Sequence, residues 1–400
     1  MMREKSTTLH SRRRFLRQSV LTAGLPLVWS PLAFSGQALS AKTGAGQAPA
    51  HEAWVSAQGD GQDHYALSWI TPDGQSARVA SALSGFRGHG AAQHPLKPGV
   101  VVMFSRSPGT EGVEVDLARG EITHRFQSAD GHHMHGHGCF SADGRVLYTT
   151  ESDYRDGTGK IVLRDSQDYR PLGEFLSHGT GPHDIQLMPD QKTLVVANGG
   201  LRTRPESGAQ VLNPDTMRST LTYLDAASGR LLSEHTLSES KASIRHLDVA
   251  RDGTVVVATQ LQRQAMSDNH LVALGAVHKP GQELMLLNGP LSLIERFNDY
   301  MGSVVLNEHE RIAGFTSPRG NIAAFWHIDS GELAGYHAFF DVCGLTTSLD
   351  ERWFVLSNSA GEVRQLNART LKEDKSLRRD YDGMHWDNHM LAIHLNDATV

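Results

Sequence analysis

The sequence predicts an all-β chain: a seven-bladed β-propeller of four-stranded antiparallel blades, its ring closed by the N- and C-terminal strands. Three observations predict it. A start phrase, often carrying glycine and histidine, recurs at 89, 137, 183, 246, 303, 344 and 389, at intervals of 41 to 63 residues. That is the length of one propeller blade with loop insertions. The clearest copies run through an Asp-containing turn into a β-rich run, as Asp143-Gly144 does before 146–150 and Asp252-Gly253 before 255–258. Thirty-nine glycines against fifteen prolines, with 39% apolar and 20% charged residues among 400, supply many tight turns and a large core.

The chain opens on an address. Arg12-Arg13-Arg14-Phe15-Leu16-Arg17 reads as a twin-arginine export motif. A moderately apolar stretch follows over 20–34, and small residues at Ala38 and Ser40 suit cleavage before Ala41. Pro26 and Pro31 interrupt that stretch and disfavour a stable membrane span. The expected organisation is a signal peptide over 1–40, a flexible leader over 41–50 and one propeller over 51–400, periplasmic after twin-arginine export. The chain carries a formal net charge of −6, and 1–40 hold six basic side chains against one acidic one, so the exported part is more acidic still. Such a chain lacks the basic footprint of a nucleic-acid partner.

Within the propeller, 54–69 is expected to share a sheet with 390–395, which closes the ring and removes exposed edges. The strong starts are Gly136-His137-Gly138, Pro182-His183-Asp184 and Ile244-Arg245-His246. Weaker ones are Arg87-Gly88-His89, Met301-Gly302-Ser303, Val342-Cys343-Gly344 and Trp386-Asp387-Asn388-His389. Short turns near Asp116-Leu117, Asp225-Ala226 and Asp329-Ser330 mark second hairpins. An insertion over 199–221 is expected to overhang the channel mouth, where Arg202, Arg204, Asn213 and Asp215 offer a clamp; the alternative is a decorative loop.

In a propeller the innermost strand of each blade lines the central channel, so residues opening it share one mouth, and the ends of the second strands return there. This gathers His89, His137, His183, His246, His389 and Cys343 as candidate metal ligands. Arg87, Arg106, Glu151, Asp184, Asn198, Arg245, Gln260, Arg319, Asp387 and Asn388 are candidate ligand-binding residues on the same rim. Coordination needs three or more imidazole nitrogens within about 2.0–2.2 Å of one point. The competing reading is structural, because a Gly-His pair opening a blade also serves to bond neighbouring backbone. The local run His132-His133-Met134-His135 is either a copper-type site or solvated polarity. Cys139 and Cys343 fall in different blades; a disulfide is geometrically demanding and free thiols are expected. No phosphate loop, nucleophile elbow, His-Glu-x-x-His or haem motif is present in the sequence.

Eight ordered phrases, among them Arg87-Gly88-His89-Gly90, Gly181-Pro182-His183-Asp184, Val196-Ala197-Asn198-Gly199-Gly200 and Thr316-Ser317-Pro318-Arg319-Gly320-Asn321, resemble a bacterial domain-of-unknown-function family of twin-arginine-exported periplasmic propellers. The resemblance implies association with imelysin-type iron-uptake loci. Asp184 stands where the family usually has glutamate, and His132, His133 and His135 depart from its pattern. The expected function is a periplasmic propeller that binds a transition metal, iron or copper, or a small ligand at the His-rich mouth, with other iron-uptake proteins as partners. The rivals are a lactonase- or oxidoreductase-like enzyme using the same mouth, with Glu151, Asp184 or a histidine as acid/base, and a protein-docking scaffold.

Overall fold

The computed structural model describes residues 52–59, 64–73, 76–208 and 210–395. The expected signal peptide and leader lie outside them. Seven four-stranded antiparallel sheets stand in a ring, forming a β-propeller. Helix among the described residues is limited to Leu291–Arg296 and three short 3-10 turns. None is long and apolar enough to cross a membrane.

Six blades are continuous in sequence. Their innermost strands are Gly88–Gln93, His132–Phe140, Pro182–Leu187, Ala242–Val249, Ser303–Asn307 and Val342–Thr347. The seventh is shared between the chain ends: Leu391–His394 pairs antiparallel with Glu52–Gly59, with Val55 opposite Leu391 and Glu52 opposite His394. The expected ring closure and all seven start phrases therefore fall where the repeat put them.

Burial follows radius. A middle strand has a neighbouring blade on each face, so it reads as a continuous apolar run rather than an alternation. Val255, Val256, Val257 and Ala258 are completely buried. Outer strands such as Pro171–Leu176 are mostly exposed. The hairpin turns at Gly120, Gly229 and Gly331 repeat one geometry: each glycine has positive φ, and its N–H bonds the carbonyl four residues back.

Neighbouring inner strands are tied by side chains. Asp184 accepts the Leu247 N–H at 3.1 Å, Asp248 accepts the Leu306 N–H at 2.7 Å, and Thr346 accepts the Ala392 N–H at 3.1 Å. Each bond spans two blades, which fixes how far one sheet is rotated from the next and so the radius of the channel.

Five inner strands are also irregular at one level. Register shifts fall between Gly88 and Ala91, Met134 and Gly138, Pro182 and Asp184, Ile244 and His246, and Val342 and Leu345. A bulge adds backbone on one strand only, so it re-aims the side chains beside it. His89, His137, His183, Arg245 and Cys343 all lie within these shifts.

Candidate metal centre

Five imidazoles gather at the channel axis, those of His89, His137 and His183 within the bulges. Ring centroids lie 4.9 Å apart for His89 and His137, 4.8 Å for His183 and His246, and 4.2 Å for His246 and His389. His89 Nε2 is 3.3 Å from both His183 Nε2 and His389 Nε2. Two nitrogens bound to one tetrahedral ion at 2.0–2.1 Å would be about 3.3–3.4 Å apart. His89, His137, His246 and His389 each offer a nitrogen, and those four atoms all lie within 4.8 Å of one another. A trans pair on one ion would span about 4.2 Å, so binding all four requires closure of about half an ångström.

Glycine makes room for this packing. A side chain at Gly90 would place its Cβ 2.6 Å from His137 Nδ1, and one at Gly136, where φ is +99°, 2.7 Å from the His89 ring. The Gly-His-Gly phrase therefore has a steric cause.

Hydrogen bonding sets which nitrogen faces inward. The Ser303 hydroxyl donates to the Cys343 carbonyl at 2.9 Å, so at 3.2 Å it accepts from His389 Nδ1–H. That leaves the His389 Nε2 lone pair facing His89. His137 Nδ1 lies 3.3 Å from Asp184 Oδ1, and its Nε2 is buried without a partner. A carboxylate behind an imidazole is the usual outer support of a metal ligand. His89 Nδ1 and His246 Nδ1 are likewise buried and unpartnered. Burial first, then neighbouring positive groups, keeps His89, His137, His183 and His246 far below the ordinary imidazole range, and burial brings His389 to about 3. Neutral imidazoles keep the lone pairs that coordination needs. The donor set is all nitrogen, which suits zinc, copper, iron or nickel.

Cys343 does not join the set. Its Sγ–H bonds the Trp386 carbonyl at 3.2 Å, and burial pushes the thiol up. Cys139 and Cys343 are both free thiols. The fifth blade supplies Ser303 at the ring level instead of a ligand.

Above the ring the mouth opens into a cavity of about 590 Å³ lined by Arg87, Arg106, Arg245, Gln260, Arg319, Asp387 and Asn388, with His89, His183, His246 and Cys343 at its base. Asp387 bonds Arg87 at 2.6 Å and Arg106 at 3.2 Å. Burial alone would raise its carboxyl, but the Arg87 bond and both charges hold it below its ordinary value. Asn388 donates to the Tyr300 hydroxyl at 2.7 Å, and Arg319 lies over the Tyr300 ring at 4.8 Å.

Asp184 instead faces the channel on the far side of the ring, in a second cavity of about 410 Å³ that shares His89, His137, His246 and His389. Glu151 and Asn198 reach neither cavity. Glu151 is fully buried in an ion pair with Arg164, and Asn198 donates to the Ser177 carbonyl and the Thr222 hydroxyl. Both fix the interior of a blade.

The insertion over 199–221 does not overhang the cavity, and no described residue of it lines the mouth. Asn213 pins it to Gly200 and Arg202, and Lys241 holds the Pro214 and Asp215 carbonyls. His133 and His135 spend nitrogens on the Thr203 carbonyl and the Ser152 hydroxyl, and His132 Nδ1 lies 3.5 Å from Glu151, so the run faces the interior of its blade. Tyr300, which also lines the mouth, was not among the residues expected from sequence, although it directly precedes the start phrase at Met301.

No curated protein matches this chain. In fold it is similar to Kuenenia stuttgartiensis hydrazine synthase, at 13% identity and a TM-score of 0.55 over 73% of this chain and 86% of that one. A likeness at that identity bears on architecture alone. The family described as "Protein of unknown function (DUF1513)" matches over residues 83–393, from the first blade to the closing strand, and this chain belongs to it.

Proposed function

We propose that this propeller is a metal-binding protein whose histidine ring holds one transition ion, iron or copper, and that it serves as an accessory to periplasmic iron acquisition. One observation carries the reading: His89, His137, His246 and His389, from four blades, each bring a nitrogen to one point, with His183 packed beside them but outside that set, and three of the four bury a nitrogen with no partner. Each such buried polar atom costs about 1–3 kcal/mol. A bound cation would remove that cost at each of these nitrogens that it takes as a ligand. The twin-arginine motif and the likeness to iron-uptake propellers support the location and the role.

Metal analysis of untagged protein tests it. Wild type is expected to bind close to one ion per chain after loading with ferrous or cupric salt and desalting, and the double variant His137→Ala/His246→Ala to retain almost none. Equal, negligible metal in both would end the coordination reading.

A further inference from the structure

Arg164 and Arg245 are treated oppositely: Arg164 is fully buried, and Arg245 is half-buried at the mouth. Arg164 is surrounded by partners: Glu151 takes Nη2, Thr149 takes Nε at 3.1 Å and the Tyr169 carbonyl takes Nη1 at 3.1 Å. Arg245 is the extra residue in the bulge between Ile244 and His246, beside the ring and at the floor of the mouth. Its Nε is buried and unpartnered, and the guanidinium makes no hydrogen bond or ion pair with any described residue. A guanidinium cannot discard its proton to escape this situation. Its sealed Nε–H lacks an acceptor, which is unfavourable, and its charge faces a cavity in which an anion would supply one.

The surroundings are poor in negative charge. Four arginines line this cavity, Arg87, Arg106, Arg245 and Arg319, against two carboxylates, Asp341 and Asp387. Asp387 is already shared by Arg87 and Arg106, each spending a single nitrogen on it, and Asp341 accepts from Ser359. Arg106 repels Arg245 rather than satisfying it. The unspent N–H groups of Arg106 and Arg245 line one cavity whose volume accommodates a small molecule.

We propose that the mouth is a binding site for a small oxyanion, a carboxylate- or phosphate-bearing molecule held by Arg245 and Arg106 above the histidine ring. The site rests on the arginines and goes beyond the metal reading; it requires no ion in the ring. Arg forks match both groups bidentately, so the shared chemistry is the oxyanion itself. With an ion bound below, the same anion would also offset the repulsion between that cation and Arg245.

Isothermal titration of metal-free, untagged protein with citrate and with inorganic phosphate tests this and tells the two sources apart. At least one is expected to bind wild type, with affinity falling roughly tenfold or more in Arg245→Gln and partly restored in Arg245→Lys. Without anion, Arg245→Gln is expected to melt no lower than wild type, since it removes an uncompensated charge. Failure of both ligands to bind, equal affinity in Arg245→Gln, or a lowered melting temperature of the anion-free variant would each overturn the proposal. Metal content of the same preparations reports the ring separately, so anion binding stands or falls on its own.

Discussion

At His137 and His389 the ring depends on a neighbour that fixes the tautomer. Ser303 accepts from His389 Nδ1, and Asp184 sits behind His137. Ser303→Ala should leave the fold intact but weaken metal affinity by about 10–100-fold, the usual loss when an outer support is removed, measured by competition with a chromophoric chelator. Glu151 predicts the opposite separation. Glu151→Gln strands the buried Arg164 charge and should cost about 3–5 kcal/mol in urea unfolding while leaving metal stoichiometry unchanged. The ring histidines were legible because each opens a repeat; what each nitrogen touches was not, since Ser303 lies 86 residues from His389 and Asp184 47 from His137. Cys343 and Glu151 show the same limit. Both occupy repeat positions near the rim, yet local backbone aims one at the Trp386 carbonyl and the other into its own blade.

The bulged inner strand is the element that makes the site. Without the extra backbone at these shifts, the two-residue period would turn His89, His137 and His183 to the other face of their strands. Sequence spacing gave strand starts but no sign of a bulge, because Gly-His-Gly reads equally well as a plain strand opening. Gly90→Ala tests the device: its Cβ would press on His137, so metal content should fall markedly while circular dichroism stays that of the propeller. The closing blade was legible because the seventh start, at 389, leaves room for one strand only, and 54–69 precedes the first start. Removing 391–400 should leave the strand Glu52–Gly59 with an open edge, and gel filtration should then show association beyond that of the full chain. The 199–221 loop misled because length alone does not give direction, and Asn213 folds it back on Gly200.

Over the whole molecule, the buried imidazoles make stability depend on pH. Unfolded histidines titrate near the ordinary value of 6.5, whereas the five in the ring titrate well below it, with His389 at about 3. Below about pH 6.5 the unfolded chain therefore holds more protons, and stability of the metal-free protein is lost as pH falls. Burial raises Asp184 to about 7 and Asp248 to about 6, which works the other way between their unfolded value of 3.8 and those figures. Lowered histidines, among them also His133, His135 and His278, outnumber the raised carboxyls of Asp184, Asp248 and Glu52, so the metal-free melting temperature should drop between pH 7 and pH 5; a flat profile would mean the ring does not stay neutral. An ion present at a hundred times its Kd should add about 2.7 kcal/mol at neutral pH, and chelation should remove it. The most direct test is the X-ray absorption spectrum of the metal-loaded protein. An ion held by the ring predicts nitrogen neighbours at about 2.0–2.1 Å with the outer-shell scattering of at least three imidazoles. A sulfur neighbour at about 2.3 Å, or a shell without imidazole scattering, would contradict it.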